Sequence, residues 1–204
     1  MLRKERMWVQ ALLKGDKAAG EWFVREHYPR IYRLLYHLTR NADVAQDLTQ
    51  QTFVKAWQAV ASFRNHSLIS TWLYRIAWNE FLHWQRDTKE TTSLSAIEWL
   101  PDTPQSDTLL SMDIAKALSQ LTEELRGVFL LYYVQDLGVS EIAEVIGIPS
   151  GTVKSRLFTA RQRLRELLRE GDTMPSLNTL STPLSITPAL SEVTNHEELQ
   201  SHTH

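Results

Sequence analysis

Residues 138–168 read GVSEIAEVIGIPSGTVKSRLFTARQRLRELL, and this stretch decides the fold of the C-terminal half of the chain. Its apolar residues recur at helical spacing on both sides of Gly147 and Pro149. Glycine supplies the backbone freedom to leave a first helix, and proline prevents that helix from continuing. Ser140 is predicted to cap the first helix, and the second helix is predicted to begin near Ser150. The pattern therefore predicts a helix-turn-helix.

The second predicted helix has an apolar side and a basic side. The inward stripe consists of Val153, Leu157, Ala160, Leu164 and Leu167 or Leu168. The outward positions hold Thr152, Lys154, Ser155, Arg156, Arg161, Arg163, Arg165 and Arg169. Six basic and two acidic residues lie between positions 150 and 170, in a chain whose formal net charge is −2. A solvated face with Glu166 and Glu170 pairing to neighbours is the alternative, but the local positive charge favours DNA binding in the major groove.

Composition limits the function classes that the chain can belong to. Its 204 residues allow one or two small domains. Cysteine is absent, which excludes disulfides and thiolate zinc sites. No apolar run is long enough to span a bilayer, and the first residues lack a signal-peptide pattern. We therefore expect a cytoplasmic protein without membrane insertion.

Helical periodicity runs through most of the chain and predicts an all-α fold of two small helical domains. In the first domain the predicted helices span 5–14, 18–40, 42–60 and 70–87, and Asn41 is the expected cap of the third. In the second domain a short helix ends near Leu121, and a helix at 123–134, capped by Thr122, precedes the helix-turn-helix. The predicted organisation is a first domain at 1–87, a flexible linker at 88–108, a second domain at 109–171 and a disordered tail at 172–204. The tail has four acids and no Lys or Arg, and it is rich in Ser, Thr and Pro.

Residues 43–60 form an amphipathic segment whose outer face is not basic. Ala45, Leu48, Thr49, Thr52, Phe53, Ala56 and Val60 gather on the core side, and Asp43, Asp47, Gln50, Gln51, Val54 and Gln58 gather on the other. A solvated helix face is the simpler interpretation. The functional interpretation is a docking surface for a basic partner, with Val54 as the apolar contact.

Residues 71–87 combine cations, amides and aromatic rings. Leu73, Ile76, Ala77, Phe81 and Trp84 are predicted to point inward, and Arg75, Asn79, His83 and Arg86 share another face, with Trp72 beside them. Tyr74, Trp78 and Leu82 are expected to extend the exposed aromatic area, although Trp78 and Trp72 could also pack in a core. Such a surface suits phosphates and unstacked bases.

Three motifs in this order carry a family resemblance: DVAQDLTQQTFVKAW, FRNHSLISTWLYRIAWN and SEIAEVIGIPSGTVKSRLFTAR. Together they resemble a bacterial RNA polymerase sigma factor, and in particular the extracytoplasmic-function (ECF) class, which has only regions two and four. The resemblance covers about residues 5–170. It implies a transcription initiation factor that binds core RNA polymerase, directs it to specific promoters and promotes DNA melting.

The resemblance also implies roles for individual residues. The clamp helices of the largest polymerase subunit would be bound by Asp43, Asp47, Gln50, Gln51 and Val54. The minus-ten element, including a flipped base, would be bound by Asn65, His66, Ser67, Trp72, Arg75, Asn79 and Arg86. The minus-thirty-five element would be bound by Ser150, Thr152, Lys154, Ser155, Arg156, Arg161 and Arg163. Most relatives are held inactive by an anti-sigma factor, which is therefore an expected partner.

Other function classes fit the sequence less well. A two-domain helix-turn-helix regulator that acts without polymerase would carry a sensor domain, usually with strands or a ligand pocket. A helical nuclease would need clustered acids or metal ligands, and a pure protein-interaction module would not explain the basic cluster. The histidines are scattered and no phosphate-cradling glycine loop is present. The sequence thus predicts no enzymatic activity, no metal and no cofactor.

Overall fold

The computed structural model describes residues 3–63, 67–91 and 112–170, and within these ranges every regular element is helical. The helices are α1 (Arg3–Leu13), α2 (Lys17–Thr39), α3 (Ala42–Ala59), α4 (Ile69–Thr91), α5 (Met112–Ser119), α6 (Glu123–Tyr133), α7 (Val139–Ile146) and α8 (Ser150–Glu170). A short 3-10 turn, Val60–Ser62, follows α3. The all-α prediction is confirmed, and the tail at 172–204 lies outside the described residues.

The helix starts follow from local hydrogen bonds that satisfy free backbone N–H groups. Asn41 caps α3 as predicted, because its Oδ1 accepts from the backbone N–H of Val44 at 3.0 Å. Asp16 does the same for α2 through the N–H of Ala19 at 2.8 Å. Thr122 occupies the cap position of α6, although its side chain makes no capping hydrogen bond.

The predicted start of α7 was wrong. Ser140 lies inside α7, and the cap residue is Gly138. The carboxylate of Glu141 takes over the capping role, since its Oε2 accepts from the N–H of Gly138 at 2.8 Å. At the other end, Gly147 adopts a left-handed conformation with φ 78°, which ends α7 as the sequence predicted.

The N-terminal helices form a layered bundle. Helix α2 packs on α1 and α3, and α4 packs on α3 and α2. The largest fully buried side chains of this bundle include Phe23, Leu34 and Leu35 of α2, and Leu73 and Phe81 of α4. Helix α4 continues to Thr91, four residues beyond the predicted end, so the first residues of the predicted linker are helical. Residues 92–108 lie outside the described ranges.

The C-terminal helices pack around α8, which contacts α5, α6 and α7. The predicted inward stripe of α8 is confirmed, because Val153, Leu157, Ala160, Leu164 and Leu168 are all buried. The two helical groups also contact each other directly, with α4 against α7 and α2 against α6. A single cluster of buried apolar residues therefore runs through both groups.

Candidate nucleic-acid interface

Helix α8 exposes a basic and hydroxyl-rich surface opposite its buried stripe. Five of the predicted minus-thirty-five residues are exposed there: Ser150, Lys154, Ser155, Arg161 and Arg163. The first turn of a helix presents free N–H groups and partial positive charge, which favours phosphate contacts. Gly151 leaves this end open, because a Cβ added there would meet no atom within 4 Å. The front of α8 is thus free to approach a nucleic-acid backbone closely.

Two of the predicted residues on α8, Thr152 and Arg156, are only partly exposed. The guanidinium of Arg156 is held by Glu124 of α6, with Nη2 2.9 Å from Oε2. Glu124 itself is largely solvent-exposed, so water screens this pair and its contribution to stability is small. Arg156 therefore lies at the edge of the basic surface, where the carboxylate of Glu124 orients its guanidinium.

Helix α4 carries the predicted row of polar residues on its surface. Arg75, Asn79 and Arg86 are exposed, as the helical spacing predicted. Trp72 is half-buried, and its ring centroid lies 5.4 Å from that of Phe63 in the segment before α4. Trp72 and Arg75 are three positions apart on α4, so a partly exposed aromatic ring and an exposed cation occupy neighbouring positions of the helix surface. This combination suits unstacked bases.

The predicted base-capture loop precedes α4. Ser67 is described and lies two residues before the start of α4 at Ile69, partly exposed. Asn65 and His66 lie outside the described residues. The structure therefore brings Ser67 to the same end of α4 as Trp72.

The expected aromatic extension of this surface was wrong for Tyr74, and for Trp78 the structure shows the alternative of packing in a core. Tyr74 and Trp78 are buried, at 3% and 5% exposure. Helix α7 packs on α4, Gly127 of α6 lies against the Trp78 ring, and Gln135, just after α6, meets Tyr74. The Tyr74 hydroxyl donates to Oε1 of Gln135 at 2.7 Å, and burial raises the pKa of Tyr74 above its ordinary value. Trp84, predicted to be core, is only partly buried.

The outer face of α3 is exposed over its whole length. All five residues predicted to bind polymerase are solvent-accessible on it: Asp43, Asp47, Gln50, Gln51 and Val54. Trp57, which the sequence pattern did not single out, is 53% exposed, close to the 57% of Val54. The indole ring of Trp57 packs on α2 at Gly20. A Cβ added to Gly20 would lie 3.0 Å from this ring. The spacing of three residues from Val54 is the signal that would have found it.

Comparison with known proteins decides the family. Residues 23–91 match the model of Sigma-70 region 2, and residues 111–164 match that of Sigma-70 region 4. The chain is 37% identical over 151 residues to RNA polymerase sigma factor YlaC of Bacillus subtilis, covering 70% of this chain and 87% of that protein. The chain belongs to the ECF class of sigma factors.

The sigma factor is also similar to further members of the class. It is 32% identical to ECF sigma factor SigW of Bacillus subtilis over 186 residues, which covers 83% of this chain and 98% of that protein. Among solved structures, RpoE of Bartonella quintana, crystallised with the anti-sigma factor NepR, matches with a TM-score of 0.66 and 30% identity. That match covers 75% of this chain and 98% of RpoE.

Family membership gives the sigma factor its general function. It is a transcription initiation factor that directs core RNA polymerase to promoters. The two matched ranges contain the α3–α4 surface and the α8 surface, respectively. In the part of the chain that the structure describes, no helix has the length and apolar character of a membrane span. Within that part, no cluster of three His, Asp or Glu side chains could hold a metal.

Proposed function

We propose that this sigma factor docks on core polymerase through the outer face of α3. The occupant would be the clamp helices of the largest subunit, contacted by Asp43, Asp47, Gln50, Gln51 and Val54. The exposure of these five residues supports the assignment. Trp57 adds a large apolar contact at the same face, and a buried aromatic ring at the centre of an interface commonly provides much of its affinity.

The α8 surface would read the minus-thirty-five element. Ser150, Thr152, Lys154, Ser155 and Arg156 would approach the major groove, because the first turns of a recognition helix contact base edges. Arg161 and Arg163, about three turns beyond Ser150, would contact phosphates. The observation that carries this proposal is the buried apolar stripe of α8 directly opposite its exposed basic side chains. That arrangement leaves Lys154, Arg161 and Arg163 exposed on the surface of α8.

The α4 surface and the preceding loop would capture the melted minus-ten element. Trp72, Arg75, Asn79 and Arg86 would contact the single strand, and Asn65, His66 and Ser67 would line the pocket for a flipped base. Flipping costs a few kcal/mol of lost stacking, which contacts in such a pocket offset. Base capture would stabilise the open bubble, so the protein promotes melting by binding and makes or breaks no covalent bond. No cofactor or metal is needed for this role.

Regulation by an anti-sigma factor is part of the proposal. The solved relative RpoE was crystallised with the anti-sigma factor NepR, which supports a protein partner of that kind for this chain. The site of action would be the cytoplasm, where core polymerase and promoter DNA are available.

Transcription from defined promoters tests the proposal. The purified chain is added to core polymerase and genomic DNA, and the transcript starts are sequenced. We expect starts that share an upstream pair of motifs about two helical turns apart. Replacing Lys154 and Arg163 with alanine should reduce these transcripts, whereas replacing Lys14, an exposed lysine between α1 and α2, should not. Starts without shared motifs, or equal losses in both variants, would contradict the assignment.

A further inference from the structure

One side of α8 carries a row of cations that runs almost the whole length of the helix. Lys154, Arg161, Arg165 and Arg169 follow one another at intervals of seven, four and four residues, which places them on the same side of an α-helix. All four are exposed, and this cationic row is about 22 Å long. Lys154 and Arg165 form no ion pair with any side chain in the described part of the chain. The row therefore presents positive charge that α8 itself does not balance.

The other flank of α8 differs, because its cations are already paired. Arg163 lies 3.2 Å from Glu166, measured from Nη1 to Oε2, and Arg156 is held by Glu124 of α6. At about 100° per residue, Arg156 and Arg163 lie about 20° apart and roughly 160° or more from Lys154. The acids within reach of α8 thus compensate this flank and leave the cationic row without a partner.

An exposed aromatic ring lies within the cationic row. Phe158 is 56% exposed, and it is four residues from Lys154 and three from Arg161. Side chains three and four positions apart are neighbours on a helix surface, so the ring is flanked by cations. The row therefore offers a partner both positive charge and an apolar contact. An acidic peptide that also carries apolar side chains complements such a surface.

The C-terminal part of the chain has this composition. Residues 171–204 contain four acids and no Lys or Arg. Three of these acids lie at 192–199, which read EVTNHEEL and also include Val193 and Leu199. This acidic segment combines the charge that the cationic row lacks with apolar side chains that suit Phe158. No described acid of the chain offers the same combination next to α8.

The connection between α8 and the acidic segment is long enough for a contact within one chain. Helix α8 ends at Glu170, and residues 171–191 lie between it and the acidic segment. These 21 residues reach roughly 70 Å when fully extended, several times the length of the row. A tether of this kind gives its end an effective concentration on the order of millimolar. A contact too weak to form between separate chains is therefore populated within one chain.

We propose that the acidic segment binds the cationic row of α8 in the same chain and competes there with DNA phosphates. The competition rests on the proposed function of α8, whereas the contact itself does not. Glutamates and phosphates require the same cations, so the free sigma factor binds DNA of arbitrary sequence more weakly than its α8 surface allows. Promoter DNA held by polymerase displaces the segment, because each exposed ion pair that must be broken is weak.

Coupling with a carbodiimide tests the contact, because the reagent joins a carboxylate to an amine that touches it. Lys154 is the one lysine of α8. We expect peptides that link Lys154 to Glu192, Glu197 or Glu198 in the monomer, identified by mass spectrometry, and suppression of these products by high salt. Lys14, an exposed lysine between α1 and α2, is the control amine. Equal coupling of both lysines, or coupling to Lys154 only in cross-linked dimers, would overturn the proposal.

Neutralising the acidic segment in the full chain tests the competition. The variant combines Glu192→Gln, Glu197→Gln and Glu198→Gln. We expect the free protein to bind a short labelled duplex of random sequence about fivefold more tightly at low salt, a modest gain because exposed ion pairs are individually weak. Fluorescence anisotropy measures the affinity. No gain in affinity would refute competition.

A matched control separates the segment from general electrostatics. Glu21→Gln, Glu26→Gln and Glu144→Gln change the net charge equally, at exposed positions of α2 and α7. We expect a smaller gain in duplex affinity from this variant. Equal gains in the two triple variants would show that net charge, and not the acidic segment, restrains DNA binding.

Arg161→Ala together with Arg165→Ala distinguishes failure of the inference from failure of the proposed function. In the neutralised background this change should weaken duplex binding at least fivefold, because it removes two phosphate contacts. Unchanged affinity would refute DNA binding by α8 and the competition that rests on it. Loss of affinity without coupling of the acidic segment to Lys154 would refute the inference alone.

Discussion

Lys55 of α3 pairs with the buried carboxylate of Glu80 on α4, with Nζ 2.6 Å from Oε1. The Glu80 side chain is 6% exposed, whereas that of Lys55 is 53% exposed. Removing the lysine leaves a buried acid without this partner, which is strongly destabilising. We expect Lys55→Met to lower the free energy of unfolding by about 2 kcal/mol, a value reduced from the fully buried case because water reaches the lysine.

Urea unfolding measures this effect, and a second substitution isolates its cause. Glu80→Gln in the Lys55→Met background removes the uncompensated charge and should recover most of the lost stability. If the double variant is no more stable than Lys55→Met, the loss comes from packing of the lysine stem and not from the buried charge.

His27 makes stability depend on pH. Burial, followed by the nearby charge of Arg30, lowers the pKa of His27 from 6.5 to about 4. Its Nε2 has no hydrogen-bond partner among the described residues, and its ring packs against Trp22 and Phe23. In the unfolded chain His27 is therefore protonated near pH 6.5, whereas in the folded chain it stays neutral until the pH falls to about 4. The free energy of unfolding should therefore show no effect of His27 above pH 6.5. It should fall by about 3 kcal/mol as the pH approaches 4.

Urea midpoints between pH 7.5 and pH 4.5 test this dependence. His27→Phe removes the titration and should flatten the curve over that range, whereas His83→Gln, at an exposed position of α4, should not. Parallel curves for wild type and His27→Phe would show that another group is responsible.

Glu124 is expected to restrain DNA binding through Arg156. Glu124→Gln removes the carboxylate that holds the guanidinium at 2.9 Å and one negative charge beside the basic surface. Exposed ion pairs are worth up to about 1 kcal/mol, so promoter affinity of the holoenzyme should rise about two- to fivefold. Filter binding against salt concentration measures it. The same charge change at Glu144 of α7 is the control, and an equal gain there would indicate a general electrostatic effect.

If α3 docks on polymerase, a charge placed at Val54 should weaken the affinity of the sigma factor for core polymerase. Val54→Glu introduces a carboxylate into the apolar centre of the proposed contact and should weaken binding of core polymerase at least tenfold, because a desolvated charge without a partner is costly. Val24→Glu, at another exposed valine on α2, is the matched control. Fluorescence titration with labelled sigma factor gives both dissociation constants. Equal affinities for the two variants would remove α3 from the docking surface.

Much of the fold follows from local patterns in the sequence. The stripe from Val153 to Leu168 specifies the inner side of α8, and Asn41 and Gly147 mark helix ends through their own hydrogen bonding and backbone conformation. These features depend on residues three or four positions apart, so periodicity and capping rules are enough to predict them. The exposed row of Arg75, Asn79 and Arg86 follows from the same rules.

The tertiary structure alone decided the environment of Tyr74 and Trp78. Periodicity identifies a second side of α4, but it does not reveal that α6 and α7, more than 40 residues away in sequence, cover that side. The fit of Trp78 on Gly127 and the pairing of Arg156 with Glu124 depend on contacts between distant segments. Burial is a property of the assembled chain, because a side chain loses its water only when another part of the molecule takes the place of that water.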